Sequence, residues 1–203
     1  MDHFHREKHT LFSYSQLISG LFLLALGIVC ILKSNLGMSP WNVFHMGTIN
    51  YLPLSLGRIT QITGFILIIL SYFLGIMPGI GTILNMILIG VFIDFLTPFF
   101  SSIDLLPFRF VFLATGIVLI AIGTGLYINS DLGAGPRDSL MLGLSKKTGK
   151  SIRFIRASIE ITVLIIGFLL GGPVGIGTVA FSLSIGPSVQ FFLKIIPKQG
   201  RKG

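Results

Sequence analysis

Long apolar runs, broken by short polar or glycine- and proline-containing segments, make up most of this chain. Crossing the roughly 30 Å hydrocarbon core of a membrane takes about 20 mostly apolar helical residues, because each residue adds about 1.5 Å. Six runs approach or reach this length, at about 11–32, 59–76, 80–99, 108–128, 155–170 and 174–196. The pattern predicts an all-α, polytopic membrane helix bundle with six transmembrane helices, in a single membrane domain over residues 1–203.

Composition supports this class and argues against others. Hydrophobic residues make up 52% of the chain and charged residues 11%, with a mean hydropathy of +0.90. A soluble domain has about 25% charged residues. A soluble enzyme or a nucleic-acid-binding module is therefore not expected, in spite of the net charge of +8. Cys30 is the only cysteine, so neither an intramolecular disulfide nor a cysteine metal site can form.

The basic residues are distributed unevenly between the predicted loops. If the N-terminus is cytoplasmic, the two tails and the segment around 131–156 contain all but three of the 15 Lys and Arg residues. Lys33, Arg58 and Arg109 then lie on the other side. Cytoplasmic loops of membrane proteins carry an excess of Lys and Arg, so we expect both termini to be cytoplasmic.

The two halves of the chain resemble each other at an offset of 96 residues, which takes Pro40 to Pro136. The same offset aligns two Gly-Ile-Gly-Thr runs, at 79–82 and 175–178. Many matches at one offset indicate an internal duplication, with repeat halves at about 11–99 and 107–196. Each half has three predicted spans, an odd number, so the second half enters the membrane upside down. This predicts a 3+3 inverted-topology repeat, an arrangement common in secondary transporters.

A short, mainly apolar segment follows the first and the fourth span, and each begins with a small residue directly before proline. Proline suits the first turn of a helix, and Ser39 is a good N-cap. The segments near 39–48 and 135–145 are therefore predicted to form short helices. They are either re-entrant, with N-terminal amides available to an anionic group, or interfacial, with Trp41 among the lipid headgroups.

The starts of these two short helices form the predicted substrate-binding site. Its residues are Ser39, Pro40, Trp41 and Asn42 in the first half, and Gly135, Pro136, Arg137 and Asp138 in the second. Asp138 is either part of a substrate or ion site, or a cap or ion-pair partner of a neighbouring base. No catalytic residue, metal site or cofactor is predicted, because His45 is isolated and no cofactor motif is present.

Two acidic residues, Asp94 and Glu160, fall within predicted spans, where charges are costly and often functional. Glu160 is either the partner of Arg156 in an i,i+4 ion pair or a proton or cation site. Asp94 has no evident partner in the sequence and is a candidate functional acid. The two Gly-Ile-Gly-Thr runs are interpreted as helix-packing and capping positions, with a pore-lining role as the alternative.

The chain resembles the bacterial YczE/YyaS/YitT family of integral membrane proteins, and most closely its YczE-like branch. The motif Leu-Gly-x-x-Pro-Trp at 36–41, the run 132–138 and both Gly-Ile-Gly-Thr runs carry the resemblance, which extends from about Gly20 to Gln190. Asn42 stands where that branch is expected to have aspartate, so the two symmetric positions need not both ionise. The resemblance implies a multi-pass protein of the bacterial cytoplasmic (inner) membrane, and it supplies neither a substrate nor catalytic residues.

The leading functional hypothesis is a small-molecule or ion transporter that works by alternating access between the repeats. The alternative is a non-transporting accessory or scaffold membrane protein, whose basic segment Lys146–Arg156 docks anionic lipid or a cytoplasmic protein. An enzyme is not expected, because no nucleophile or metalloprotease motif is found. The expected partners are the lipid bilayer and an unidentified small molecule or ion, and not nucleic acid.

Overall fold

The computed structural model describes residues 11–198, which form eight α-helices and one short 3-10 helix, without any strand. The α-helices are α1 (Leu11–Ser34), α2 (Pro40–Ile49), α3 (Leu56–Phe73), α4 (Ile80–Leu96), α5 (Leu106–Asn129), α6 (Pro136–Thr148), α7 (Ile152–Leu169) and α8 (Ile176–Ile195). The predicted all-α class is confirmed. The prediction of cytoplasmic termini concerns the tails 1–10 and 199–203, which lie outside the described residues.

Five of the helices within residues 11–198 are long and apolar enough to cross a membrane: α1, α3, α4 with the 3-10 helix that follows it, α5 and α8. The remaining predicted span corresponds to α7. It has 18 residues, as α3 has, but it carries Arg153, Arg156 and Glu160. Charged residues oppose insertion into hydrocarbon, so a transmembrane α7, and with it the six-span bundle, stays a prediction.

The two short helices begin where the Ser-Pro and Gly-Pro pairs predict. Ser39 is the N-cap of α2, and its side chain accepts a hydrogen bond from the Asn42 amide at 3.4 Å. Gly135 is the N-cap of α6, and Pro136 occupies its first turn. With 10 and 13 residues, α2 and α6 rise about 15–20 Å, too little to cross a bilayer.

Helices α1 and α5 cross at glycines in the centre of the bundle. A methyl group on Gly20 would lie 2.8 Å from the Gly123 carbonyl oxygen, and one on Gly27 would lie 2.6 Å from the Gly116 carbonyl oxygen. Small residues at a crossing let two backbones approach closely. The earlier glycine of α1 meets the later glycine of α5, so the two helices run antiparallel.

The two Gly-Ile-Gly-Thr runs begin α4 and α8, and each bonds to the opposite half of the chain. The Gly81 amide donates to the Leu132 carbonyl at 2.8 Å, and the Gly177 amide donates to the Leu36 carbonyl at 2.7 Å. The Thr82 hydroxyl accepts from the Gly79 amide at 3.1 Å. The runs therefore cap and position helices, which is the packing role that the sequence favours.

Candidate functional site

A cavity of about 180 Å³ lies at the centre of the bundle, and all eight α-helices contribute to its wall. That volume accommodates on the order of a dozen water molecules and is smaller than the roughly 300–1,000 Å³ of pockets for drug-sized ligands. All eight predicted substrate-binding residues, 39–42 and 135–138, line it. A small metabolite fits this space.

The wall of the cavity is built largely from residues that correspond to each other in the two halves of the chain. Eleven pairs of lining residues are separated by 96 positions, among them Trp41 with Arg137 and Asn42 with Asp138. Trp41 and Arg137 also touch, since the guanidinium carbon lies 4.8 Å from the centre of the indole ring. If the chain is the duplication that the sequence predicts, the cavity lies on its pseudo-symmetry axis, because a residue contacts its own counterpart only near such an axis.

Helix α2 presents unpartnered polar atoms on the cavity wall. Trp41, Asn42 and His45 are 6%, 1% and 0% exposed, and the Trp41 Nε1, Asn42 Oδ1 and His45 Nε2 atoms have no hydrogen-bond partner. Buried polar groups are normally satisfied, because an unpaired one costs about 1–3 kcal/mol. Three such atoms on one short helix indicate a surface prepared for a ligand or for ordered water.

The tautomer of His45 follows from the hydrogen bonds of its neighbour Thr60. The Thr60 hydroxyl donates its single proton to the Leu56 carbonyl at 2.8 Å. It therefore acts as acceptor in its 3.1 Å contact with His45 Nδ1, and Nδ1 carries the hydrogen. In the neutral imidazole the other nitrogen, Nε2, is then a hydrogen-bond acceptor.

Helix α6 contributes the charged part of the site. Asp138 accepts a hydrogen bond from the hydroxyl of Tyr127, a buried residue of α5. No carboxylate of the described residues lies within ion-pair distance of Arg137, whose guanidinium stacks on the face of Trp41. A guanidinium over an indole ring is a favourable cation–π arrangement that leaves its N–H groups available to another partner.

The two acids predicted within spans have different environments. Glu160 lines the cavity and pairs with Arg156 at 2.9 Å, as the i,i+4 spacing suggests. Asp94 does not line the cavity. Its carboxylate accepts from the Ser55 hydroxyl at 2.5 Å and from the Gly57 amide at 2.9 Å, and so joins the end of α4 to the start of α3.

Sequence reasoning did not assign six polar residues of the wall to the site: His45, Thr60, Thr63, Asn85, Thr124 and Tyr127. Tyr127 corresponds to Ile31 in the repeat, so symmetry gave no signal for it. His45 follows Trp41 by four residues, one turn along α2. That spacing places His45 on the same helix face as Trp41 and would have predicted it.

A protein-family model matches residues 11–194 of this chain, and its description reads "Family of unknown function (DUF6198)". The chain belongs to the DUF6198 family. This DUF6198 protein is 37% identical to the "Uncharacterized membrane protein YczE" of Bacillus subtilis (strain 168) over 177 residues, which cover 86% of this chain and 82% of the relative. The predicted resemblance is thereby confirmed.

Two further relatives cover nearly all of the bundle. An "Uncharacterized protein" of Haemophilus influenzae is 40% identical over 184 residues, which cover 91% of this chain and 84% of the relative. "Uncharacterized protein YyaS" of Bacillus subtilis is 27% identical over 192 residues, 88% and 91% of the two chains. No solved structure matches this chain. With its several apolar helices, this DUF6198 protein is a membrane protein, consistent with a multi-pass arrangement.

Proposed function

We propose that this protein is a small-molecule transporter that works by alternating access between two inverted repeats. Three features support the proposal: the antiparallel crossing of the corresponding helices α1 and α5, the reciprocal bonds of the two Gly-Ile-Gly-Thr runs, and the central cavity on the pseudo-symmetry axis. Transporters built from inverted repeats bind substrate near the bilayer midplane, between the repeats. The proposal includes six membrane spans, of which α7 is the fifth, and a 3+3 inverted topology.

The observation that carries the proposal is a difference between the two halves. Helix α3 packs along α4, whereas the corresponding helices α7 and α8 lack comparable packing. A methyl group on Gly90 of α4 would lie 2.5 Å from the Gly57 carbonyl oxygen of α3. One on the corresponding Gly186 of α8 would meet no atom within 4 Å. One helix pair is closed and its counterpart is open.

If the two halves are equivalent, a helix pair that is closed in one half and open in the other corresponds to one of two states of the protein. The open pair gives the cavity an exit between α7 and α8, where Glu160 and Ile185 line the wall. The Asp94 contacts with Ser55 and Gly57, hereafter the Asp94 clasp, hold the closed pair together. In the other state the α3–α4 pair opens and the α7–α8 pair closes, which exposes the cavity to the opposite side of the membrane.

The positive-inside rule assigns sides to the two pairs. With both termini in the cytoplasm, the α7–α8 opening faces the cytoplasm and the Asp94 clasp faces outward. The state described is then open to the inside.

Cysteine labelling tests this proposal. Thr124 lines the cavity and is partly exposed, and cysteine is close to it in size. Cys30 is buried, and Cys30→Ala removes it as a background. In oriented membrane vesicles, a membrane-impermeant thiol reagent should label Thr124→Cys from the cytoplasmic side, and at a lower rate from the outside. Tyr51→Cys and Lys147→Cys, at exposed positions on the predicted outer and inner faces, report the sidedness of the vesicles.

Access to Thr124→Cys from both sides, in proportions that change with conditions or variants, agrees with a transporter. Labelling confined to one side in every state and variant would contradict alternating access. Function would then be better explained by docking at Lys146–Arg156, and neutralising Lys146, Lys147 and Lys150 would abolish it.

A further inference from the structure

We propose that the substrate is a small zwitterion, an amino acid with an apolar side chain, whose carboxylate binds Arg137 and whose ammonium binds the acceptors on α2. This inference rests on the proposed transport function and specifies the ligand of the same cavity.

The donors that would hold the carboxylate lie together. The Arg137 guanidinium stacks on Trp41 at 4.8 Å and has no carboxylate partner among the described residues, and the neighbouring Trp41 Nε1 is also unpaired. Arginine N–H groups form a planar fork that matches a carboxylate. A ligand carboxylate would satisfy both residues.

The acceptors that would hold the ammonium lie further along α2. Asn42 Oδ1 and His45 Nε2 are both buried acceptors without a donor. An ammonium group has three N–H donors and no acceptor. It therefore satisfies these atoms, whereas a second anionic group would be repelled by their lone pairs.

The charge balance of the cavity favours a ligand without net charge. Arg137 and Arg156 are opposed by Asp138 and Glu160, the two acidic residues on the wall. Arg156 and Glu160 pair with each other at 2.9 Å, whereas Asp138 accepts a hydrogen bond from Tyr127, and Arg137 forms no ion pair within residues 11–198. A dipolar ligand pairs with such a site and adds no uncompensated buried charge, which would be costly.

The size of the cavity and the apolar part of its wall narrow the class of ligand further. The cavity of about 180 Å³ suits an amino acid better than a peptide or a nucleotide. Away from the polar groups its wall is formed by apolar residues of α1, α4, α5 and α8, including Leu24, Ile89, Ile120 and Phe181. These surfaces accept an apolar side chain and offer nothing to a charged one.

Binding to the purified full-length protein tests the class with matched probes. Alanine, leucine and phenylalanine are each compared with the acid that lacks the amine and the amine that lacks the carboxylate. At 100 times its Kd, the preferred amino acid should raise the melting temperature by about 5–10 °C, and both analogues should bind at least tenfold more weakly.

Three variants locate the ligand. Arg137→Gln should abolish the shift, and Arg153→Gln, an equal change of charge on the exposed side of α7 and off the cavity, should leave it unchanged. Trp41→Phe keeps a ring beneath Arg137 but removes the Nε1 donor, and it should weaken binding about tenfold. It serves as the conservative variant if Arg137→Gln does not fold.

The outcomes separate this inference from the transport proposal. If an acid without the amine binds as tightly as the amino acid, or no amino acid binds, the zwitterion is wrong. Labelling of Thr124→Cys from both sides would then still support transport, with a substrate of another class. If no amino acid binds and Thr124→Cys is labelled from one side only, both the zwitterion inference and the transport proposal are wrong.

Discussion

Leucine in place of Gly27 should strongly destabilise the folded protein. A side chain at this position would point at the backbone of α5, with the Gly116 carbonyl oxygen 2.6 Å and the Ile120 amide nitrogen 2.9 Å from its first carbon. Backbone atoms cannot move aside as the end of a flexible side chain can. Overpacking of a tight site typically costs about 1–3 kcal/mol, and at a backbone crossing we expect at least about 3 kcal/mol, a large share of a marginal stability of about 5–15 kcal/mol.

The measurement is the fraction of monodisperse protein in size-exclusion chromatography, together with the melting temperature. Gly186→Leu is the matched control, because Gly186 also lies within a helix but faces open space. That variant should be as stable as the parent protein. Equal behaviour of the two leucine variants would show that the α1–α5 crossing does not hold the bundle together.

Alanine in place of Asp94 should release the α3–α4 pair and expose the cavity to the opposite side. The substitution removes two hydrogen bonds to a carboxylate, from the Ser55 hydroxyl and the Gly57 amide. Hydrogen bonds to charged groups contribute about 1.5–3 kcal/mol each. The loss of one of them is enough to shift a two-state equilibrium by about tenfold or more, so labelling of Thr124→Cys from the outer side should become at least tenfold faster.

Gln190→Ala is the matched control for Asp94→Ala, because Gln190 is the counterpart of Asp94 at the end of α8. It forms no such clasp, and its substitution should not change the labelling rate. Unchanged outer labelling in a well-folded Asp94→Ala protein would mean that the Asp94 clasp is not a gate and serves only to cap α3.

Local sequence signals predicted the helices well. The apolar runs correspond to α1, α3, α4, α5, α7 and α8, and the Ser39-Pro40 and Gly135-Pro136 pairs mark the starts of α2 and α6. Hydrophobicity and capping act over a few residues, and so they can be recognised without knowledge of the fold. The offset of 96 residues likewise aligned pairs of residues that line the same cavity.

Contacts between distant segments could not be predicted in this way. Asp94 lacks a partner in its own helix, and only the packing of α3 against α4 brings Ser55 to it. The pairing of Asp138 with Tyr127 likewise depends on how α5 and α6 meet. Neither contact produces a periodic pattern of residues in the sequence.

Besides predicting a duplication, the sequence by itself determined a membrane helix bundle and two short helices that begin at the eight residues 39–42 and 135–138. Those properties follow from the burial preference and backbone chemistry of neighbouring residues. Only the tertiary structure decided that those residues share one cavity with His45 and Tyr127, that Asp94 lies outside it, and that α7 and α8 part where α3 and α4 close. Such features depend on helix crossings, and these are set by the close packing of side chains far apart in the chain.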